Sequence, residues 1–581
     1  MRILFLTHSF NSLTQRLFVE LTEAGHEVSI EFDINDAVAI DAVRLFQPHL
    51  IVAPYLRRAI PEEIWRRHVC LVLHPGIPGD RGPSALDWAI LNSESEWGVT
   101  VLQADARMDA GPVWAAVNFP MRQARKSSLY RNEVTEAAVI AMRQAIERFE
   151  TANFVPAAQD PEKMRGVTRP PMSQAERRID WTIDTTADIL RKIRASDGAP
   201  GVEDEIFGER FCLYDAHPED TLRGAAGEII ARRNGAILRA TRDGAVWIGH
   251  LRKIAPAERT FKLPATMVLG ERVQSVPESP MPSEFEPSRQ TYRDIAYTEK
   301  NGVGYIYFDF YNGAMDTDQC ERLRAAYREA CRRPTRVIVL MGGPDFWSNG
   351  IHLNIIETAA SAADESWRNI NAMNNLCEAL ITTESHLTVA ALRGNAGAGG
   401  VFLALAADRI LARRGVILNP HYKNMGNLYG SEYWTYLLPR RVGLEQARAI
   451  MRHRLPLGAA SAQRLGLIDD CFGRNVGEFE AGVESLGESL AQDPAYETRL
   501  QAKRRQRAQD ESEKPLRRYR EEELERMRLN FYGFDPSYHV ARYNFVFRIP
   551  YSWTPLHLAR HRRVTARDAR EPATGAVQDA V

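Results

Sequence analysis

The chain has 581 residues, too many for one hydrophobic core, so roughly three to five domains of about 100 to 200 residues each are expected. Its formal net charge of −1 leaves no global basic field and excludes a nucleic-acid binder that works by bulk charge. Six cysteines (Cys70, Cys212, Cys320, Cys331, Cys377, Cys471) show no Cys-x-x-Cys and no His cluster at metal spacing, so the sequence predicts a reducing compartment and no metal site.

Met1-Arg-Ile-Leu-Phe-Leu-Thr opens directly as a strand, and nothing later approaches about 18 uninterrupted apolar residues, so a soluble, cytoplasmic protein without membrane contact is expected. Residues 2 to 7 read as a buried strand, Leu13 to Ala24 as a helix stopped by Gly25, and His26 to Phe32 as a second strand. His49 to Ala53 and His68 to Leu73 add two more, with helical segments before each, which predicts a parallel, doubly wound, Rossmann-like sheet. The turn His8-Ser9-Phe10-Asn11-Ser12 lacks Gly-x-Gly-x-x-Gly, which argues against a nicotinamide cofactor. Ser9 and Asn11 stand at this strand tip either toward a ligand or as helix caps.

The informative stretch is Leu71 to Trp114: an apolar run ending in His74, a Pro/Gly loop through Arg81 and Gly82, a helical segment, a strand from Val99 to Gln103, and Asp109 in Met-Asp-Ala-Gly. An Asp in reach of a His fixes its tautomer, and the imidazolium then stabilises charge developing on a neighbouring oxygen. Arg131, opening the next helix, either pairs with a ligand carboxylate or is solvated.

Residues 157 to 172 are polar and Pro-containing. Ala175 to Trp181 then leads into a helix and short strands around Phe211 to Tyr214, Gly227 to Ala231, Ala236 to Thr241 and Ala245 to His250, the pattern of a small barrel. Leu269 to Gln290, with Pro277, Pro280, Pro282 and Pro287, reads as an interdomain linker.

A second unit follows. A strand from Gly304, a helix from Asp316 to Arg333 and a strand from Val337 to Met341 lead to Phe346-Trp-Ser-Asn-Gly-Ile-His-Leu353. Farther on come Leu392-Arg-Gly-Asn-Ala-Gly-Ala-Gly-Gly400, Leu403 to Asp408, Leu438-Pro-Arg-Arg-Val-Gly443 and Gly466-Leu-Ile-Asp469. From Tyr496 the chain is helical and charged, including Lys503-Arg-Arg-Gln-Arg507, which reads as a solvated face or as cations for a phosphate. The aromatic stretch Arg542-Tyr-Asn-Phe-Val-Phe-Arg548 reads as docked, with Arg542 or Arg548 positioned for a phosphate.

These motifs resemble known families. His74, Arg81-Gly82, Gly98-Val99-Thr100 and Asp109-Ala110-Gly111 resemble the formyltransferases that use 10-formyltetrahydrofolate, with one departure: Val72 stands where that family has its catalytic Asn. Arg178-Ile-Asp-Trp181 resembles the start of that family's OB-like second domain. The glycine motifs of the second unit resemble the crotonase, or enoyl-CoA hydratase/isomerase, superfamily. That resemblance implies backbone donors to a thioester oxygen at Ile351 and Gly399, with Gly350 and Gly400 allowing close approach. The hydratases' two glutamates map onto Phe402 and, by gap-free counting, Tyr422; a one-residue shift gives His421, and Glu432 is a nearby carboxylate.

The fusion as a whole resembles the HypX/HoxX family of nickel–iron hydrogenase maturation proteins. It implies a multidomain α/β protein: a formyltransferase-like domain (1–160), an OB-like barrel (173–265), a linker (266–290), a crotonase-like domain (291–495), a helical region (496–563) and a disordered tail (564–581). It further implies 10-formyltetrahydrofolate and coenzyme A as small-molecule substrates, with Ser9, Arg81, Gly82 and Arg131 at the ligand sites, and hydrogenase maturation or large-subunit proteins as partners. On that resemblance His74, Asp109, Ile351, Gly399 and Tyr422 would carry chemistry that ends in carbon monoxide.

Overall fold

The computed structural model describes residues 1–151, 153–160, 162, 164–280 and 289–563. The tail expected to be disordered, 564–581, therefore lies outside the described residues, as does 281–288 of the expected linker.

The first sheet has six strands: β1 (Arg2–Thr7), β2 (Glu27–Phe32), β3 (Leu50–Ala53), β4 (Cys70–His74), β5 (Glu96–Gln103) and β6 (Val113–Pro120), in the order β2-β1-β3-β4-β5-β6. Strands β1 to β4 are parallel, as the alternation of helix and strand predicts, but β4-β5 and β5-β6 are antiparallel. The expected parallel sheet holds for the four strands it was read from; β5 is antiparallel to β4 although a helix (Ala85–Leu91) lies between them, and β5 returns to β6 through a short loop, which suits an antiparallel pair. The reversal sets Thr100 directly across from His74.

The second sheet comprises β7 (Val202–Ile206), β8 (Glu209–Glu219), β9 (Ile229–Arg233), β10 (Ala236–Ala240), β11 (Ala245–Lys253) and β12 (Leu263–Pro264), all antiparallel, in the order β7-β8-β11-β10-β9 with β12 on β11. Among the described residues β7 and β9 do not pair, so the expected barrel is an open sheet in its hydrogen bonding. The free edge of β9 is instead covered: Arg232 N–H bonds to Pro277 O and Ser279 N–H to Arg232 O, both at 2.9 Å. That cover comes from the segment taken as a linker, which also carries a helix (Ala265–Leu269) packed with Val273 into the sheet's core.

The third unit holds two sheets. One runs β13 (Ile295–Lys300), β14 (Val303–Phe308), β15 (Val337–Leu340), β17 (Leu387–Leu392), β19 (Arg409–Arg413), β22 (Asp470–Phe472); the other runs β16 (Phe346–Ser348), β18 (Asn395–Gly397), β20 (Ile417–Asn419), β21 (Leu457–Gly458). The helix after β14 starts where Asp316 and Gln319 form a capping box. Helices Tyr496–Glu513, Leu516–Tyr532 and Ser537–Val546 follow. Several of their cations are spent on carboxylates of the sheet-bearing unit, such as Lys503 with Asp408 at 2.6 Å and Arg520 with Glu378 at 3.2 Å, so these two dock the helices and are neither a solvated face nor free for a phosphate. The chain then returns to the first sheet and straps its edge strand, with Ile30 N–H bonded to Leu558 O at 3.1 Å and Phe32 N–H to Thr554 Oγ1 at 2.8 Å. No helix of the described residues is long and apolar enough to cross a membrane.

Two candidate active sites

Alternation along β4 puts Val72 and His74 on one face. Val72 is half-buried and packs on an apolar cluster, so it offers no hydrogen bond there. His74 is buried between two carboxylates: Nε2 lies 3.1 Å from Asp80 Oδ1, and Nδ1 lies 3.7 Å from Asp109 Oδ2. Only the first is a hydrogen-bond distance. The nearer acid, Asp80, escapes sequence reasoning because it sits inside the glycine loop rather than beyond a strand.

The loop needs its glycines. A Cβ on Gly76 would stand 2.4 Å from His74 Nε2 and 2.8 Å from Asp80 Oδ1. Gly82, at φ +117°, donates its N–H to Asp109 Oδ2 at 3.2 Å. Asp109 is itself left-handed at φ +53°, and the Gln159 amide pins its turn by donating to the carbonyls of Asp109 (3.0 Å) and Gly111 (2.8 Å). Arg81 bonds through its backbone to Val167 at 3.2 Å, and its buried Nε has no hydrogen-bond partner among the described residues. At the β1 tip Asn11 caps the following helix by accepting from Thr14 N–H at 2.9 Å, while Ser9 is half-buried beside His8.

In the third unit β16 pairs with β18 and brings the two glycine motifs together: a Cβ on Gly350 would be 3.4 Å from Gly399 N, and one on Gly400 only 2.1 Å from Ser348 O. Across from them stands Glu432. Its carboxyl atoms would lie 2.8 to 3.0 Å from a Cβ on Gly399, so a side chain there would have to displace the Glu432 carboxyl. The Tyr422 hydroxyl is 2.5 Å from Glu432 Oε2 and 2.9 Å from Ser431 O, and its ring stacks on Phe402 with centroids 5.5 Å apart. Burial pushes the Glu432 carboxyl up to about 7. Burial, and then the Glu432 charge, push the Tyr422 hydroxyl far above its ordinary range.

Glu432 and Tyr433 are successive left-handed residues, at φ +63° and +58°, a conformation that must be held from outside. Asn374 Oδ1 accepts from Glu432 N–H at 2.7 Å, and the Glu523 carboxylate accepts from Tyr433 N–H at 2.9 Å. Of the three groups that counting along the chain left open, Glu432 faces Gly399 and Tyr422 bonds to it, while His421 is buried with neither ring nitrogen hydrogen-bonded among the described residues, and burial pushes it down to about 4.

The seam between the units is polar. Arg131 lies over the Phe346 ring at 4.5 Å, with Nη1 3.7 Å from Asp345, so it bridges units rather than standing in solvent. Asp345 also accepts from Ser128 (2.6 Å) and Asn132 (3.0 Å). Arg542 is committed to Glu357 at 2.6 Å and to His539, which removes it as a ligand for a free phosphate, whereas Arg548 is exposed.

Residues 19–146 match the formyl transferase family, 171–262 the formyl transferase C-terminal domain, and 298–530 the enoyl-CoA hydratase/isomerase family. Hydrogenase maturation factor HoxX of Bradyrhizobium diazoefficiens is 54% identical over 564 residues, covering 97% of each chain. The chain belongs to the HypX/HoxX family of hydrogenase maturation factors. A crystal structure of HypX from Aquifex aeolicus in complex with tetrahydrofolic acid superposes with a TM-score of 0.94 at 49% identity, covering 97% of this chain and 99% of that one. The first half is also similar to methionyl-tRNA formyltransferase of Sphingopyxis alaskensis, 33% identical over 28% of this chain and 52% of that protein. The expected fold class, a formyltransferase-like α/β unit fused to a crotonase-like one, is the one observed.

Proposed function

We propose that the protein makes carbon monoxide for a hydrogenase metal centre from the formyl group of 10-formyltetrahydrofolate, in two steps on one chain. At the first site the formyl group passes to the thiol of coenzyme A, with His74 and Asp109 serving the tetrahedral oxyanion and its collapse. Ser9, Arg81 and Gly82 line the folate side. The tetrahydrofolic acid in the Aquifex HypX structure supports this substrate. Arg131, at the seam, serves a ligand carboxylate, and the exposed Arg548 meets the coenzyme A phosphates.

At the second site the thioester oxygen is held by the N–H groups of Ile351 and Gly399, approached over Gly350 and Gly400. Formyl-CoA has no α-carbon, so the enolate chemistry that occupies two hydratase glutamates does not arise. Loss of carbon monoxide breaks the C–S and C–H bonds: Glu432 takes the formyl proton, Tyr422 gives one to the departing sulfur, and Glu432 reprotonates Tyr422. Phe402 keeps the pocket dry. The observation that carries this reading is the Tyr422–Glu432 pair set against Gly399, where a hydratase carboxylate pair is absent. A hydrogenase maturation protein or large subunit receives the product.

The test is stoichiometry. Purified protein given 10-formyltetrahydrofolate and a catalytic amount of coenzyme A should release one carbon monoxide per formyl group, trapped by reduced haemoglobin. Formate in its place, with no carbon monoxide, would leave a formyltransferase or hydrolase whose crotonase-like half is a non-catalytic binding module.

A further inference from the structure

Asp80 has no place in the pattern of residues that marks the first site, yet it is the carboxylate nearest to His74. Its side chain is 1% exposed, with Oδ1 3.1 Å from His74 Nε2. Oδ2 is buried without a hydrogen-bond partner among the described residues. A turn from Ile77 carries it, closed by Asp80 N–H to Ile77 O at 2.9 Å, and Gly166 covers it so closely that a Cβ there would fall 1.9 Å from Asp80 N. No substrate reaches this acid; whatever it does, it does through the imidazole.

The two nitrogens of His74 therefore have different neighbours. A buried carboxylate facing Nε2 accepts its hydrogen, which in the neutral ring leaves the lone pair on Nδ1. The other contact agrees: a hydrogen on Nδ1 would draw the ring toward Asp109, yet Nδ1 stands 3.7 Å from Asp109 Oδ2, and that oxygen takes the Gly82 N–H at 3.2 Å instead. Asp109 is 14% exposed against 1% for Asp80, so the Nδ1 side is the open side. With Val72 unable to hydrogen-bond, no neighbouring amide on β4 shares the task of holding the ring.

We propose that Asp80 is the positioning residue of the first site: it locks His74 as the Nε2–H tautomer, so that Nδ1 takes the proton of the attacking thiol and returns it to the departing folate nitrogen. This rests on the formyl transfer to coenzyme A proposed above. The step balances. The thiol gives its proton to Nδ1, sulfur bonds to the formyl carbon, and the carbonyl pair moves to oxygen. On collapse the carbonyl reforms, the bond from carbon to N10 breaks, and N10 takes the proton from Nδ1. The geometry is that of a buried aspartate behind a histidine base, which in serine hydrolases sets the tautomer without being protonated itself.

The test follows tetrahydrofolate release by the full-length protein. Asp80→Asn should lower kcat at neutral pH on the order of 10²- to 10⁴-fold, as when the aspartate of such a pair is neutralised, with KM for the folate within about two-fold. The deficit should shrink toward about pH 8.5, where the thiol ionises without help. In a His74→Gln background Asp80→Asn should cost nothing further. A near-normal rate, a deficit equal at every pH, or additive losses would each overturn the assignment. Should Asp80→Asn not fold, the imidazole ¹⁵N shifts of the wild-type protein decide: hydrogen on Nε2 is the expected signature, and hydrogen on Nδ1 overturns it. A wild-type protein that releases no tetrahydrofolate fails the proposed function itself, a result distinct from any of these.

Discussion

The Tyr422 hydroxyl meets the Glu432 carboxyl at 2.5 Å, ten residues on in sequence, and that carboxyl stands directly over Gly399. Each member makes the other useful. A tyrosine alone is too weak an acid to be reprotonated quickly without a partner, and the carboxyl, busy as the base for the formyl proton, needs a second group to hand a proton to the departing sulfur.

Glu432→Gln and Tyr422→Phe should each slow carbon monoxide release on the order of 10²-fold or more while coenzyme A binding stays within about two-fold. Because burial holds the Glu432 carboxyl at about 7, the wild-type rate should rise with pH through that value as the base ionises, and Glu432→Gln should flatten the profile. Stability runs the other way. A carboxyl raised on folding contributes stability that is whole below the ordinary carboxylate range and is lost as pH rises through about 7, so urea midpoints should fall over that window and fall less in Glu432→Gln. Equal slopes in both proteins would contradict the placement.

Gly399→Ala is the sharper probe of the acyl pocket. Its methyl would enter a space 2.8 Å from the Glu432 carboxyl carbon, so the variant should stop carbon monoxide release while tetrahydrofolate release continues, and formyl-CoA or formate should accumulate. Gly399→Pro, which also deletes the N–H donor, should do the same, and Phe402→Glu should rescue neither. Chromatography of the thioester with haemoglobin trapping of the gas reads both halves at once.

His74→Ala or Asp109→Asn should cost about 10²-fold or more in tetrahydrofolate release and leave coenzyme A binding intact, since the two sites lie on separate sheets. Val72→Asn restores an amide beside His74 on the same face of β4. It should leave folate binding unchanged and raise slow formyl transfer to amines or water, read as formylated amine or formate.

The strap on β2 makes a prediction far from either site. Glu31 is fully buried, and although burial pushes its carboxyl up, His561, Thr554 and Arg562 outweigh it and hold the group below its ordinary range. Glu31→Gln should destabilise the first unit on the order of 3 kcal/mol at neutral pH, measured by urea unfolding. A depressed carboxyl contributes above its unfolded range and loses that contribution as pH falls, so the difference between the two proteins should narrow below about pH 4.

The sequence by itself determined what depends on short stretches. Amphipathic periods and turn residues located the strands and the helix after Asp316; the glycine motifs marked the two stretches that β16 and β18 bring together; and His74 and Asp109 stood out in a His-loop-Asp pattern, whereas Tyr422 was one of three groups that counting along the chain left open. Where a reading required knowing what lies across a gap in the chain, the tertiary structure decided. The first sheet turns antiparallel after His74 even though a helix (Ala85–Leu91) joins β4 to β5, and the second sheet stays open because residues 277–279, not β7, cover the edge of β9. Arg542 had the right charge but meets Glu357, 185 residues away in the chain. Glu432 was visible as a carboxylate, yet only the left-handed pair at 432–433, held by Asn374 and Glu523 from two distant helices, turns it onto Tyr422. Asp80 was hidden in a loop whose composition signals only a turn, and it matters because folding buries it with one histidine nitrogen as its partner. Local pattern states which groups are present; burial and cross-chain distance decide which of them can exchange a proton.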